Sequence, residues 1–204
     1  MESTNKQKKK INTRKLTATA MLAAVAAVLQ YIELPAPFMP PFIKLDISDL
    51  PELIGAFAYG PVAGIIITLV KNLIHAIGSW SFGVGELSNF VLGAIFVGVA
   101  GIVYKKNKTK KGALLGGVAG SVVMAIVSIF TNLYIMYPFY ANFMPGGMDG
   151  ILAAYQEILH VDTMIEALLI FNLPFNTIKG LLCVAISMLI YKPLSPFLHK
   201  NNKK

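Results

Sequence analysis

The sequence predicts an all-α fold: an integral membrane bundle of six transmembrane helices with both N- and C-termini cytoplasmic. Three observations predict it. Of 204 residues, 55% are hydrophobic and only 14% charged, and mean hydropathy is +0.64; a soluble domain carries roughly a quarter charged residues. Several apolar stretches approach the roughly 20 residues that cross a hydrocarbon core. Fifteen of the 18 basic residues fall into three clusters, which an even number of crossings places on one side. The expected organisation is a single transmembrane domain, 1–204, with a basic cytoplasmic tail at 1–15, the bundle at 16–191 and a second basic tail at 192–204.

The first span runs from Leu16 to Ile32, and its flanks show no small-residue cleavage site before Pro35, so it reads as a span rather than a cleaved signal peptide. The apolar region Leu53 to Ser79 is interrupted by Gly60-Pro61. Proline disfavours a helix interior and suits a helix start, so this region divides into a short second span, Ser48 to Tyr59, and a third, Pro61 to Gly78. The fourth span is Glu86 to Tyr104, the fifth Gly112 to Tyr137 and the sixth Ile165 to Tyr191. Leu34 to Leu45 carries Pro35, Pro37, Pro40 and Pro41 and is expected as a stiff non-helical loop. Pro138 to Thr163 is a long connection with an expected interfacial helix at Gly150 to Leu159; it is a lid or an ordinary loop.

Charge chooses six spans over five. Lys6, Lys8, Lys9, Lys10, Arg14 and Lys15 precede the first span. Lys105, Lys106, Lys108, Lys110 and Lys111 follow the fourth, and Lys192, Lys200, Lys203 and Lys204 follow the last. Positive residues in short loops stay cytoplasmic, and only an even count puts all three clusters there. Nine of the ten acids then fall at outer helix ends or loops. Topology and anionic lipid account for the net charge of +8, and no nucleic-acid partner is expected. Cys183 stands alone, which excludes a disulfide framework. His75, His160 and His199 lack ligand spacing, so no metal site is expected.

Polar residues at membrane depth mark the candidate site. A lysine at the bilayer centre costs at least about 2.5 kcal/mol and faces a cavity or a partner. Lys71, Asn72 and His75 lie within about a turn, with Lys71 and His75 on one face. Asn176 and Lys179 share a face of the sixth span, just after Pro174, which is expected to kink it. Asn89 and Asn132 sit at the same outer level. An ammonium donates, and an asparagine amide both donates and accepts; together these suit a neutral, polar heteroaromatic ligand. Phe38, Phe42, Trp80, Phe82, Tyr134 and Tyr137 lie near that level and either pack on ring faces or form the interfacial belt. Asp46 to Glu52 reads as a helix cap, Ser48 or Asp49 preceding Pro51.

No G-x-x-x-x-G-K-[ST] loop, H-E-x-x-H or G-x-S-x-G occurs, and no nucleophile–base pair is apparent, so no catalytic residue is expected. A small intramembrane enzyme would require such a pair, and a purely structural subunit leaves Lys179 unexplained. The small-residue patterns Ala20-x-x-x-Ala24 and Ala23-x-x-x-Ala27 on the first span are either a docking face for another membrane subunit or an internal packing seam. Gly112, Gly116 and Gly120 on the fifth read as internal packing.

Several short motifs carry a family resemblance. Lys44-Leu45-Asp46-Ile47-Ser48-Asp49-Leu50-Pro51, Tyr59-Gly60-Pro61, Lys71-Asn72, Asn89-Phe90, Leu173-Pro174-Phe175-Asn176-x-x-Lys179-Gly180 and, more loosely, Lys192-x-Leu194-Ser195-Pro196 occur in order. The chain resembles the riboflavin-specific S components of energy-coupling factor (ECF) transporters from Leu16 to about Pro196. The resemblance implies a multi-pass protein of the bacterial cell membrane that binds riboflavin as transported ligand, with no cofactor, near the outer surface under the loop after the first helix. It implies a T component and two ATPase subunits as partners, with the first-helix alanines (Ala20, Ala23, Ala24, Ala27) docking the T component. Asn176 and Lys179 are the leading ring-edge contacts, followed by Asn132 and Lys71. An S component for another neutral vitamin is the alternative.

Overall fold

The computed structural model describes residues 13–79 and 83–199, with side chains to residue 190. Trp80, Phe82, nearly all of the first basic tail and the side chains of the second lie outside the described residues.

In chain order the elements are α1 (Thr13–Tyr31), β1 (Leu34–Pro35), β2 (Lys44–Leu45), α2 (Asp49–Tyr59), α3 (Pro61–Ala76), α4 (Val84–Lys106), α5 (Lys110–Thr131), a π turn (Asn132–Met136), α6 (Tyr137–Tyr140), α7 (Gly147–Gln156), α8 (Met164–Ala167), a second π turn (Leu168–Asn172) and α9 (Leu173–His199). Three of the described helices are long and apolar enough to cross a membrane: Val84–Lys106, Lys110–Tyr140, which runs unbroken through the first π turn, and Met164–Ile190, which runs through the second. α3 is a shorter apolar helix.

The proline-rich loop is non-helical, as expected, but it also pairs its ends. β1 and β2 are antiparallel, Leu34 opposite Leu45 and Pro35 opposite Lys44. Phe38 turns the tip with φ +56°. The Gly60-Pro61 break is as the sequence predicts. Gly60 takes φ +95°, open to glycine, its N–H closes α2 on the Ala56 carbonyl, and Pro61 starts α3. The expected interfacial helix is α7, opened by Gly146 at φ +78°. The last helix continues past Tyr191 to His199; the expected tail rested on charge, which says where a segment is soluble and not where a helix ends.

Both π turns end two residues before a proline, Pro138 and Pro174. Proline lacks an N–H and its ring collides with the carbonyl four residues back. A π turn widens the coil there and lets the helix continue, and such turns recur at functional sites. Each one carries an asparagine, Asn132 and Asn172, described below.

α4 packs on α5, α5 on α9, and α3 against α1, α2 and α4. Gly116 and Gly120 permit the α4–α5 approach: a Cβ would sit 2.7 Å from the Ala100 carbonyl oxygen at Gly116 and 2.5 Å from that of Phe96 at Gly120. Gly112 differs, lying against the Asn107 backbone of its own preceding turn. Gly120→Ala is therefore expected to cost about 1–3 kcal/mol, seen as a lower melting temperature in detergent; an unchanged value would contradict this close contact. One apolar cluster joins α2, α4, α5 and α9 through Leu53, Phe57, Phe96, Val97, Met124 and Val184. A second joins α6, α7 and the second π turn through Tyr137, Ile151, Tyr155 and Phe171, with Phe42 of the hairpin loop packed on it. Members of both clusters line the cavity described next.

α1 divides its alanines between two faces. Ala23 and Ala27 are buried, Ala23 and Ala26 packing with Ile67 of α3, whereas Ala20 and Ala24 are exposed. Of the four alanines expected to dock a partner, Ala23 and Ala27 are thus turned to the interior of this chain, Ala23 packing with Ile67 of α3.

Candidate functional site

A cavity forms where the hairpin loop, α3, α4, both π turns and α9 meet. Its wall includes Phe42, Lys44, Asp46, His75, Glu86, Ser88, Asn89, Asn132, Tyr137, Tyr140, Asn172, Phe175, Asn176 and Lys179. The structure thus brings together five of the seven residues singled out from sequence: His75, Asn89, Asn132, Asn176 and Lys179. Lys71 and Asn72 are not in the wall. Asn72 is committed elsewhere, receiving a hydrogen bond from Gln30 Nε2 (3.0 Å) and donating to the Thr68 carbonyl (2.8 Å).

Lys71 belongs to a buried ion cluster. Its Nζ lies 2.9 Å from Asp49 Oδ1, 2.5 Å from Glu52 Oε1 and 2.5 Å from Ser48 Oγ. Lys179 Nζ lies 3.2 Å from Asp46 Oδ2 and 3.1 Å from Asp49 Oδ2. The glutamate is also held from the other side, Thr68 Oγ1 donating to Glu52 Oε2 at 2.7 Å. Asp46, Asp49 and Glu52 are spaced by three residues and share one side of the α2 entry, where two lysines from α3 and α9 meet them. Charges removed from water need such partners. The capping expectation is corrected accordingly. Ser48 occupies the N-cap position without a side-chain cap bond; instead its N–H and hydroxyl both donate to Asp46 Oδ1, leaving the hydroxyl to accept from Lys71. In the loop before α2, burial pushes the Asp46 carboxyl up, but the Lys179 and Lys71 ammoniums and the Ser48 hydrogen bond together outweigh it and hold it below the ordinary carboxylate range. Lys71 is correspondingly reassigned from a wall group to an internal counter-ion. Lys179 does both, pairing with two carboxylates while facing the cavity.

The asparagines differ in what they have left to offer. Asn176 Nδ2 donates to Ser128 Oγ (3.1 Å) and to the Asn172 carbonyl (2.9 Å), so both of its N–H groups are used and its Oδ1 remains as an acceptor. Asn89 and Asn132 have no side-chain partner among the described residues and keep both functions. Lys179 retains one N–H beyond its two carboxylates. Asn172, which sequence reasoning passed over, joins Tyr137 and Tyr155: Tyr155 Oη donates to Asn172 Oδ1 (2.5 Å) and Asn172 Nδ2 to Tyr137 Oη (3.0 Å). The available signal was its position four residues before Asn176, on the same helix face. His75 Nδ1 pairs with Glu86 Oε1 at 2.7 Å, and the Tyr31 ring lies 4.8 Å from that of His75. Of the aromatics named from sequence, Phe42 and Tyr137 line the cavity, while Phe38 and Tyr134 are exposed. The described residues contain no cluster of metal-ligating side chains.

The wall is thus mixed. Neutral amides and one ammonium concentrate around α9 and the π turns, with Phe42, Tyr137, Tyr140 and Phe175 supplying flat apolar surface. Such a site suits a planar ligand whose edge alternates hydrogen-bond acceptors and donors.

Comparison with known proteins places this chain in a family. The family model for the substrate-specific component of ECF transporters matches residues 14–191. The riboflavin transporter RibU of Staphylococcus aureus (strain TCH60) is 36% identical over 92% of this chain and 93% of its own. The riboflavin transporter FmnP of Bacillus subtilis (strain 168) is 29% identical over 93% of this chain and 96% of its own. A solved structure, the S component of a bacterial ECF transporter, superposes with a TM-score of 0.73 at 34% identity, covering 93% of this chain and 99% of that one.

Proposed function

The chain belongs to the substrate-specific components of ECF transporters, and from that premise we propose that it binds riboflavin in the cavity between the hairpin loop and α9 and delivers it across the bacterial cell membrane. It is a transporter component and not an enzyme. The relatives' substrate supports this reading, but the observation that carries it in this chain is the set of hydrogen-bonding groups the cavity has left unused.

The imide edge of a flavin presents a carbonyl, an N–H and a second carbonyl. Asn176, with both N–H groups committed, offers an acceptor to the central N–H. Lys179 and Asn132 offer donors to the flanking carbonyls. Phe42, Tyr137 and Phe175 cover the ring faces, and Asn89 remains for the polyol chain. An anionic ligand would call for an arginine clamp, and the one arginine, Arg14, lies at the start of α1. Lys71 and Asn72 lie outside the wall, where Lys71 pairs with the acids of α2 and Asn72 ties α3 to α1.

The topology that fits is six spans: α1, α2, α3, α4, α5 with α6, and α8 with α9. The basic clusters and both termini are cytoplasmic, and the cavity is at the outer face under the hairpin loop. Energy comes from a T component and two ATPase subunits, with Ala20 and Ala24 offering the T component the small-residue face that α1 leaves open. Cells supplied with this chain, a T component and both ATPases should accumulate labelled riboflavin, and cells lacking the ATPases should not. Equal uptake without them would refute delivery by an ECF module.

A further inference from the structure

Tyr155 stands apart from the cavity. It sits on α7, is fully buried and does not line the wall, yet its hydroxyl touches two residues that do. Tyr155 Oη donates to Asn172 Oδ1, Asn172 Nδ2 donates to Tyr137 Oη, and the two phenol oxygens are 2.5 Å apart. Because the Tyr155 proton is already given to Asn172, Tyr137 must donate to Tyr155. The three groups therefore form a closed ring in which each donates once and accepts once. In a buried setting the bonds of such a closed ring polarise and reinforce one another, so its members are held more firmly than by isolated bonds. The amide plane of Asn172 is fixed by it, one N–H of that amide is left over, and the second π turn has already set the backbone that carries it. The Tyr155 ring is in turn packed by Phe171 at 5.3 Å and edge-on by Phe42 of the hairpin loop at 6.2 Å.

We propose that Tyr155 is a positioning residue for ligand binding: it holds the Asn172 amide so that the remaining N–H donates to the ring of riboflavin. This rests on the riboflavin reading above. α7, which the sequence marks only as an interfacial helix in a long connection, thereby becomes part of the binding apparatus without touching the ligand.

A double-mutant cycle tests it with riboflavin as the probe and full-length protein in detergent. Tyr155→Phe removes one oxygen and keeps the ring packing. It should weaken riboflavin binding roughly three- to tenfold, the scale of one misdirected hydrogen bond. Asn172→Ala should weaken it at least as much. The double variant should bind no worse than Asn172→Ala alone, because Tyr155 acts through that amide. The absorption band of bound riboflavin should shift in the same direction in both single variants, a readout that a role confined to packing would not move. Wild-type affinity in Tyr155→Phe, or effects that multiply in the double variant, would overturn the proposal. Should Tyr155→Phe not yield folded protein, Asn172→Ala decides alone, and wild-type affinity there overturns it. Absence of riboflavin binding by the wild-type chain is a different result and refutes the functional reading instead.

Discussion

Lys71→Met is expected to destabilise the protein by about 3–5 kcal/mol, the cost of stripping a buried ion cluster of one partner. Lys71 is fully buried and holds two carboxylates and a hydroxyl within 2.9 Å. Methionine fills much of the same volume but leaves Asp49 and Glu52 facing each other with only Lys179 nearby, and Lys179 reaches Asp49 and not Glu52. With Lys71 gone, three buried carboxyl groups share a single lysine, and a buried charge without a partner is costly. The loss appears as a steep fall in melting temperature or as failure to recover folded protein from the membrane. Where enough folded protein is recovered, its riboflavin affinity should stay close to wild type, because Lys71 is not in the cavity wall. A melting temperature equal to wild type would show that the cluster does not carry the stability assigned to it.

Asn176→Ala is expected to have the opposite profile, with a large loss of affinity and a small loss of stability. The wild-type side chain spends both N–H groups on Ser128 and the Asn172 carbonyl, which leaves the amide oxygen as the acceptor for the ligand. Removing it leaves a ligand N–H without its acceptor, at a cost of about 1–3 kcal/mol, or roughly five- to 150-fold in affinity. Fluorescence-quenching titration measures it. An affinity within twofold of wild type would remove Asn176 from the ligand's edge. Lys179→Ala is a poorer probe, because it both vacates the wall and unpairs Asp46 and Asp49.

Much of the fold was legible because membrane helices announce themselves through long apolar runs and through the placement of lysines. The Gly60-Pro61 break is readable from backbone chemistry alone, and the structure places it there. The candidate site was legible only as a set of polar residues too costly to leave in lipid, five of the seven of which line one cavity. Pairing across the sequence was not legible. Lys71 and Lys179 each need a counter-charge, but nothing local says that Asp46 lies beside a lysine 133 residues away. Read as rim residues and caps, the acids left the lysines free to be assigned to a ligand. The three-residue spacing of Asp46, Asp49 and Glu52 next to two intramembrane lysines was the signal that could have joined them. The π turns were half legible: Pro174 promised a distortion, yet the same argument applied to Pro138 would have drawn attention to the turn that carries Asn132. Ala23 and Ala27 show the limit of small-residue patterns, which mark close approach without saying to what.

The central claim is that this cavity holds riboflavin through the groups left unpaired around α9. Titrating riboflavin into purified, flavin-free protein in detergent and following the quenching of its fluorescence tests that claim most directly. Saturable quenching at one riboflavin per chain, abolished or strongly weakened in Asn176→Ala and retained in folded Lys71→Met, is the result predicted. A wild-type protein that leaves riboflavin fluorescence unchanged would contradict the claim.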